Sequence, residues 1–203
     1  MSGAVAAGLD RPGFADPVAE AQSCFRSVLD AMARPGRIRR AGAALSPPAP
    51  LGPAAAAVLL TLADTATPLW LDPGAQLDPG ARAAATWLTF HTGAPLTARP
   101  QAAALALALA MPPLGDFAPG THEAPQDSAT LIVQVAALGA GRRYRLAGPG
   151  LRAPETLAVD GLPAGFVREW AAQRAGFPLG VDLILCAGDA LCALPRTVAI
   201  EEA

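Results

Sequence analysis

Between Asp16 and Arg34, apolar side chains recur at Val18, Ala21, Phe25, Val28 and Met32, the three-and-four spacing of one helical face. Asp16 is a good N-cap and Pro17 suits the first helical position, while Pro35-Gly36 stops the helix by Arg34. A second helix, rich in alanine and leucine, is expected from about Pro53 to Ala63, with Asp64 and Thr65 ending it. PLWLD (68–72) reads as a short buried strand. A third helix opens at Asp78-Pro79 with the same cap chemistry and runs to about Phe90, and Gly93 is placed to stop it.

Beyond Gly93 the period shortens. AALALALA (103–110) alternates and is assigned as a strand. MPPLGDFAPGTHEAPQD (111–127) is a long Pro/Gly-rich loop, of a length that inside a compact domain is usually functional or mobile. TLIVQVAAL (130–138) and RRYRLAG (142–148), joined through GAG, predict a β-hairpin. A polar helix near 163–174 carries Phe166 and Trp170 on one side. A final hairpin pairs 181–186 with 191–195 around Gly188-Asp189. Strands interspersed with helices give the fold class α/β, a single-domain α/β(α) sandwich on a mixed sheet spanning 1–203, without repeat or dividing linker. Residues 1–14 lack a basic n-region and a strong apolar core, so a frayed cytoplasmic start is expected.

Composition narrows the chemistry. The chain has 203 residues, 52% of them apolar, with mean hydropathy +0.34, enough for a real core although much of it is alanine. A net charge of −2 and a pI near 5.6 give no footprint for nucleic acid or an anionic membrane. The apolar stretches at 54–63 and 102–111 fall far short of the ~20 residues a membrane span needs. All 15 basic residues are arginine. Without lysine there is no Schiff base to pyridoxal phosphate and no Walker-type phosphate loop, so no cofactor is expected. Acid–base work falls to His91, His122, Tyr144, carboxylates and thiols. Cys24, Cys186 and Cys192 lack metal-ligand spacing. In the proposed hairpin register the last two point to opposite faces, so all three read as buried thiols in a reducing compartment.

Several residues stand out as candidate ligand or partner contacts. Asp182 lies in an otherwise apolar strand, and a carboxylate there must be paired or near solvent. In the hairpin register it faces Pro195, which puts Arg196 close along the ladder but formally on the other face. Asp182 therefore reads either as a structural acid at a strand mouth or as part of a site. FHTG (90–93) places His91 at the end of the third helix, where an imidazolium meets the negative pole; alternatively His91 and Thr92 donate to a phosphate or carboxylate. Asp64 and Thr67 of LADTATP (62–68) fit helix-end capping and also border a strand start. GPG (148–150) makes a tight turn or exposes N–H groups to an anion. Arg34, Arg37, Arg39 and Arg40 form a basic patch, suited to bidentate anion capture or to a solvated strand edge.

Five stretches in order, FRSVLDAMARPGRI (25–38), VLLTLADTATPLWL (58–71), FHTGAPL (90–96), SATLIVQVAALGAGRRYRLAGPGL (128–151) and FPLGVDLIL…ALPRT (177–197), resemble the PhnH family of the carbon–phosphorus lyase system. The resemblance implies a small α/β protein like a reduced pyridoxal-phosphate-dependent transferase, but without cofactor. It further implies a homodimer that joins PhnG, PhnI and PhnJ in a lyase core complex. That system displaces adenine from ATP with a phosphonate, giving ribose 1-phosphonate 5-triphosphate, and PhnH is a required accessory. The resemblance transfers no catalytic residue.

Two functions follow as alternatives. One is a non-catalytic assembly subunit of phosphonate catabolism. The other is a small nucleotide- or phosphonate-binding enzyme acting through His91 and arginines on ATP or a phosphonate. Asp64, His91 and Arg196 all lie at element ends, which raises the question of whether they line one cleft.

Overall fold

The computed structural model of the chain describes residues 11–72 and 79–203. Helix α1 (Pro17–Ala33) forms where the cap and proline signals put it. The Asp16 carboxylate accepts the Ala19 N–H at 3.0 Å, and Glu20 in return accepts the Asp16 N–H at 2.9 Å. Its buried face agrees with the expected one at Val28, with Met32 partly buried, and departs from it elsewhere. Cys24, Val28 and Ala31 are buried, whereas Val18 is 69% and Phe25 46% exposed. The reason lies in α2 (Pro53–Leu62), whose residues 54–59 are fully buried and mostly alanine. Helix α1 packs closely on this small-residue helix, and the contact has room for a thiol and a methyl but none for a phenyl ring.

Helix α3 (Pro79–Thr92) ends at Gly93, which takes φ +68° and donates its N–H to Thr89 O at 2.9 Å. The expected cap, Asp78, lies outside the described residues.

The strands are β1 (Arg39–Arg40), β2 (Leu69–Leu71), β3 (Leu96–Thr97), β4 (Leu105–Ala108), β5 (Thr130–Gln134), β6 (Ala137–Ala147), β7 (Glu155–Asp160), β8 (Asp182–Ala187), β9 (Ala190–Leu194) and β10 (Ala199–Glu202), with helix α4 (Phe166–Arg174) between β7 and β8. Seven of them form a mixed sheet in the order β1-β9-β8-β5-β4-β2-β3. From β8 to β3 every neighbour pair is parallel, and β9 and β1 add on antiparallel. The other three make a second, antiparallel sheet, β10-β6-β7.

Strand alternation divides the core. Leu105, Leu107, Ile132, Ile184 and Cys186 face α1, α2 and α3. Ala106, Leu131, Val133, Leu183 and Cys192 face the second sheet and α4, where Trp170 donates its indole N–H to Val198 O at 2.8 Å. Both faces are therefore covered, which explains the continuous apolar runs in β4, β5 and β8. Cys186 and Cys192 lie on opposite faces, and all three cysteines are free and buried. Burial pushes the Cys192 thiol up to about 12 and raises Cys186 and Cys24 as well.

One expected element is replaced. Residues 130–138 and 142–148 do not pair as a hairpin. Strand β5 runs between β4 and β8 in the large sheet, whereas β6 belongs to the small one. The chain crosses at Val135 and Ala136, whose N–H groups donate to Cys186 O in one sheet and Asp160 O in the other, both at 2.9 Å. Gly141 (φ +91°) sits in a bulge of β6 rather than in a turn, and a Cβ there would lie 2.7 Å from the Asp160 backbone. The partners that β6 does take, β7 and β10, are not evident from the local pattern.

The 111–127 loop is packed. Leu114 and Phe117 are buried, and Phe117 meets Trp70 edge-on with centroids 5.2 Å apart. The Leu114 N–H donates to the Glu169 carboxylate of α4. Residues Arg11 to Phe14, placed by the sequence in the frayed start, are tied as well. The Arg11 carbonyl accepts the Trp87 indole N–H at 2.8 Å, and its guanidinium donates to Ser46 O and Pro47 O.

Candidate functional site

Asp182 opens β8, beside Thr130 of β5. Strand pairing with β9 ends at Leu194, and the turn after Pro195 swings Arg196 back across the strand mouth, with Val198 N–H donating to Pro195 O at 2.9 Å. The two residues that strict alternation separates thus meet. Arg196 donates its backbone N–H to Asp182 Oδ1 at 2.7 Å and its Nη2 to Oδ2 at 2.6 Å, with Nε at 3.2 Å from Oδ1. Its Nη1 reaches Pro125 O at 2.8 Å and so anchors the far end of the 111–127 loop. Both side chains are only 14% exposed. The carboxylate and guanidinium are mutually satisfied, which makes this a clasp between β8, β9 and the loop.

Asp64 lies in the turn from α2 to β2. It accepts the Thr67 hydroxyl at 2.6 Å and the Ala66 N–H at 2.9 Å, and the Thr67 bond is the main cause holding its carboxyl below its ordinary value. Thr92 donates to Leu88 O at 2.7 Å and accepts the Ala94 N–H, closing the end of α3. The His91 ring packs edge-on against Trp87 at 4.7 Å and against Phe90 at 5.1 Å, with Nε2 3.4 Å from Arg11 O. A Cβ on Gly13 would lie 3.1 Å from His91 Nδ1, so the 11–14 strap lies directly against the ring.

These residues do not share a cleft. The Asp64 turn and the end of α3 are neighbours, since a Cβ on Gly93 would lie 2.8 Å from Thr65. The Asp182–Arg196 clasp, however, is three strands away across β2-β4-β5-β8, roughly 14 Å at ~4.8 Å per strand. All of them sit at the amino-terminal edge of the parallel strands. Open α/β sheets characteristically take ligands at the opposite, carboxyl edge. At the carboxyl edge, Gln134 ties down the 50–52 segment by accepting the Gly52 N–H and donating to Pro50 O.

The basic patch has a hub that the residue pattern did not single out. Asp30, 17% exposed, pairs with Arg34 and takes Arg39 Nε at 2.5 Å and Arg37 Nε at 3.7 Å. The i,i+4 spacing of Asp30 and Arg34 was a usable signal. Arg40 crosses instead to Asp189, at 2.6 Å from both oxygens. Among the described residues no three His, Cys, Asp or Glu side chains group to hold a metal ion. No helix among them is long and apolar enough to cross a membrane.

The fold and these clasps define a two-sheet α/β protein whose polar element ends are used to join its parts. The family that the sequence suggests is borne out. The profile of the bacterial phosphonate metabolism protein PhnH matches residues 12–201, and the chain belongs to that family. It is 47% identical over 191 residues to the alpha-D-ribose 1-methylphosphonate 5-triphosphate synthase subunit PhnH of Rhizobium meliloti (strain 1021), covering 93% of this chain and 94% of that one. It is also 40% identical over 82 residues to the putative C-P lyase subunit protein HtxG of Stutzerimonas stutzeri, covering 40% and 42% of the two chains.

Proposed function

We propose that this chain is an accessory, non-catalytic subunit of a carbon–phosphorus lyase complex. It serves phosphonate catabolism at the step that makes alpha-D-ribose 1-methylphosphonate 5-triphosphate from ATP and methylphosphonate. The observation that carries this reading is what the chemically capable side chains do. Asp182 and Arg196 clasp the sheet to a loop, Asp64 and Thr67 close a turn, Thr92 caps α3, and His91 packs edge-on against Trp87 and Phe90 beneath the chain's own strap. None converges with another on a point where a reacting atom could sit. Membership of the PhnH family supports the assignment.

The finer reading includes a cytoplasmic homodimer, partnership with PhnG, PhnI and PhnJ, and a fold akin to a reduced pyridoxal-phosphate-dependent transferase. No cofactor is needed in it, since a chain without lysine cannot form the Schiff base. Val18, Phe25 and Leu29 of α1, all substantially exposed, are apolar side chains of the kind that subunit contacts cover. The direct test is to incubate the isolated chain with ATP and methylphosphonate, alone and with PhnG, PhnI and PhnJ. No adenine release alone, and release that depends on this chain in the mixture, is the expected outcome. Turnover by the isolated chain would refute the reading.

A further inference from the structure

Two motifs far apart in the sequence, RPGR (34–37) and GPGLR (148–152), meet in space and wall a pocket of about 430 Å³. That volume lies within the ~300–1,000 Å³ range of small-ligand sites. Arg34, Arg37 and Arg152 line it, together with Glu155 and Thr156 of β7. The loops approach this closely because glycine occupies the contacts. A Cβ on Gly150 (φ +86°) would lie 2.3 Å from Ala33 O, and one on Gly36 (φ +80°) would lie 2.5 Å from Leu146 Cδ1. Asp30 holds Arg34 and draws in Arg37, so part of the ordering cost of these side chains is met within the fold. Among the described residues Arg152 has no ion pair, and the N–H groups of Gly150 and Arg152 have no partner.

We propose that this pocket binds the di- or triphosphate chain of a small molecule through Arg34, Arg37 and Arg152. Four arginines (34, 37, 39 and 152) against two carboxylates (Asp30 and Glu155) leave the neighbourhood at +2 on a chain of net charge −2. The carbonyl end of α1 lies alongside and opposes an anion with about half a charge, which the +2 outweighs. Guanidinium forks match phosphate oxygens two at a time, and several forks around one pocket suit a chain of phosphates better than a single carboxylate. The site is separate from the accessory-subunit reading and is tested without reference to assembly.

The test is calorimetric titration of the full chain with inorganic tripolyphosphate, ATP and inorganic phosphate. Arg37→Ala/Arg152→Ala is the test variant, and Arg26→Ala, an exposed arginine on α1, is the control. The expected result is binding of tripolyphosphate and ATP by the wild type and the control. Inorganic phosphate binds at least tenfold more weakly, and the double variant loses tenfold or more with an unchanged melting temperature. Should the double variant fold poorly, Arg152→Glu alone gives the same readout at an exposed side chain. Absence of tripolyphosphate binding by the wild type, equal binding by the variant, or equal affinity for inorganic phosphate overturns the proposal.

Discussion

Removing one partner of a nearly buried ion pair leaves the other charge desolvated and alone. Asp182→Ala therefore exposes Arg196 to that penalty and also frees the Pro125 anchor. A loss of about 3 kcal/mol is expected in urea denaturation, whereas Asp182→Leu/Arg196→Met recovers much of it. A catalytic Asp182 would instead show lost activity at unchanged stability. The thiols give a pH signature. Cys186 and Cys192 have folded pKa values raised by burial above the ordinary thiol value of 9.0, that of Cys192 to about 12. The unfolded chain then loses its protons first. Their contribution is fully present below pH 9 and is lost as pH rises toward 12, by about 1.4 kcal/mol per pH unit per thiol. Denaturation midpoints measured from pH 7.5 to 10.5 check this, and Cys192→Ala should flatten the slope. The Asp182–Arg196 pair was only half legible, because alternation argues faces along a ladder and Arg196 acts after the ladder ends at Leu194. For His91, FHTG alone fits an end-of-helix residue as well as it fits a donor to an anion, and it carries no sign of the contacts that Trp87 and the Arg11 strap make with the ring.

At the scale of elements, ends were easier to read than faces. Proline, glycine and aspartate at 16–17, 35–36, 53 and 93 carry their own backbone preferences, and the helices start or stop there. The face of α1 depends on what lies opposite, and an alanine-rich partner selected small residues over Phe25. Ala31→Leu should thus cost about 2 kcal/mol by overpacking the α1–α2 contact, while Val18→Ser on the exposed side stays within about 0.5 kcal/mol. Equal effects in thermal denaturation would place the wrong face inward. The hairpin expected at 130–148 failed for a related reason. Two adjacent apolar runs joined by glycines look local, but each had a better partner elsewhere: β8 for β5, and β7 for β6. Strand pairing is decided by tertiary context that a local pattern does not carry.

Over the described residues, polar groups at the sheet's amino edge join one part of the fold to another, and the open polar pocket beside the end of α1 is lined by arginines rather than by an acid–base pair. Fold class was legible because period and punctuation agreed over most of the chain. Site assignment was less so, since residues that cap, clasp and catalyse are drawn from the same few types. The proposed role of the chain is that of a subunit. The most direct measurement is co-expression with PhnG, PhnI and PhnJ of the same organism, followed by size exclusion with light scattering. Co-elution of all four chains in a particle larger than any dimer of this one is expected, and it should be retained in His91→Ala. A chain that elutes apart from an assembled remainder would contradict it.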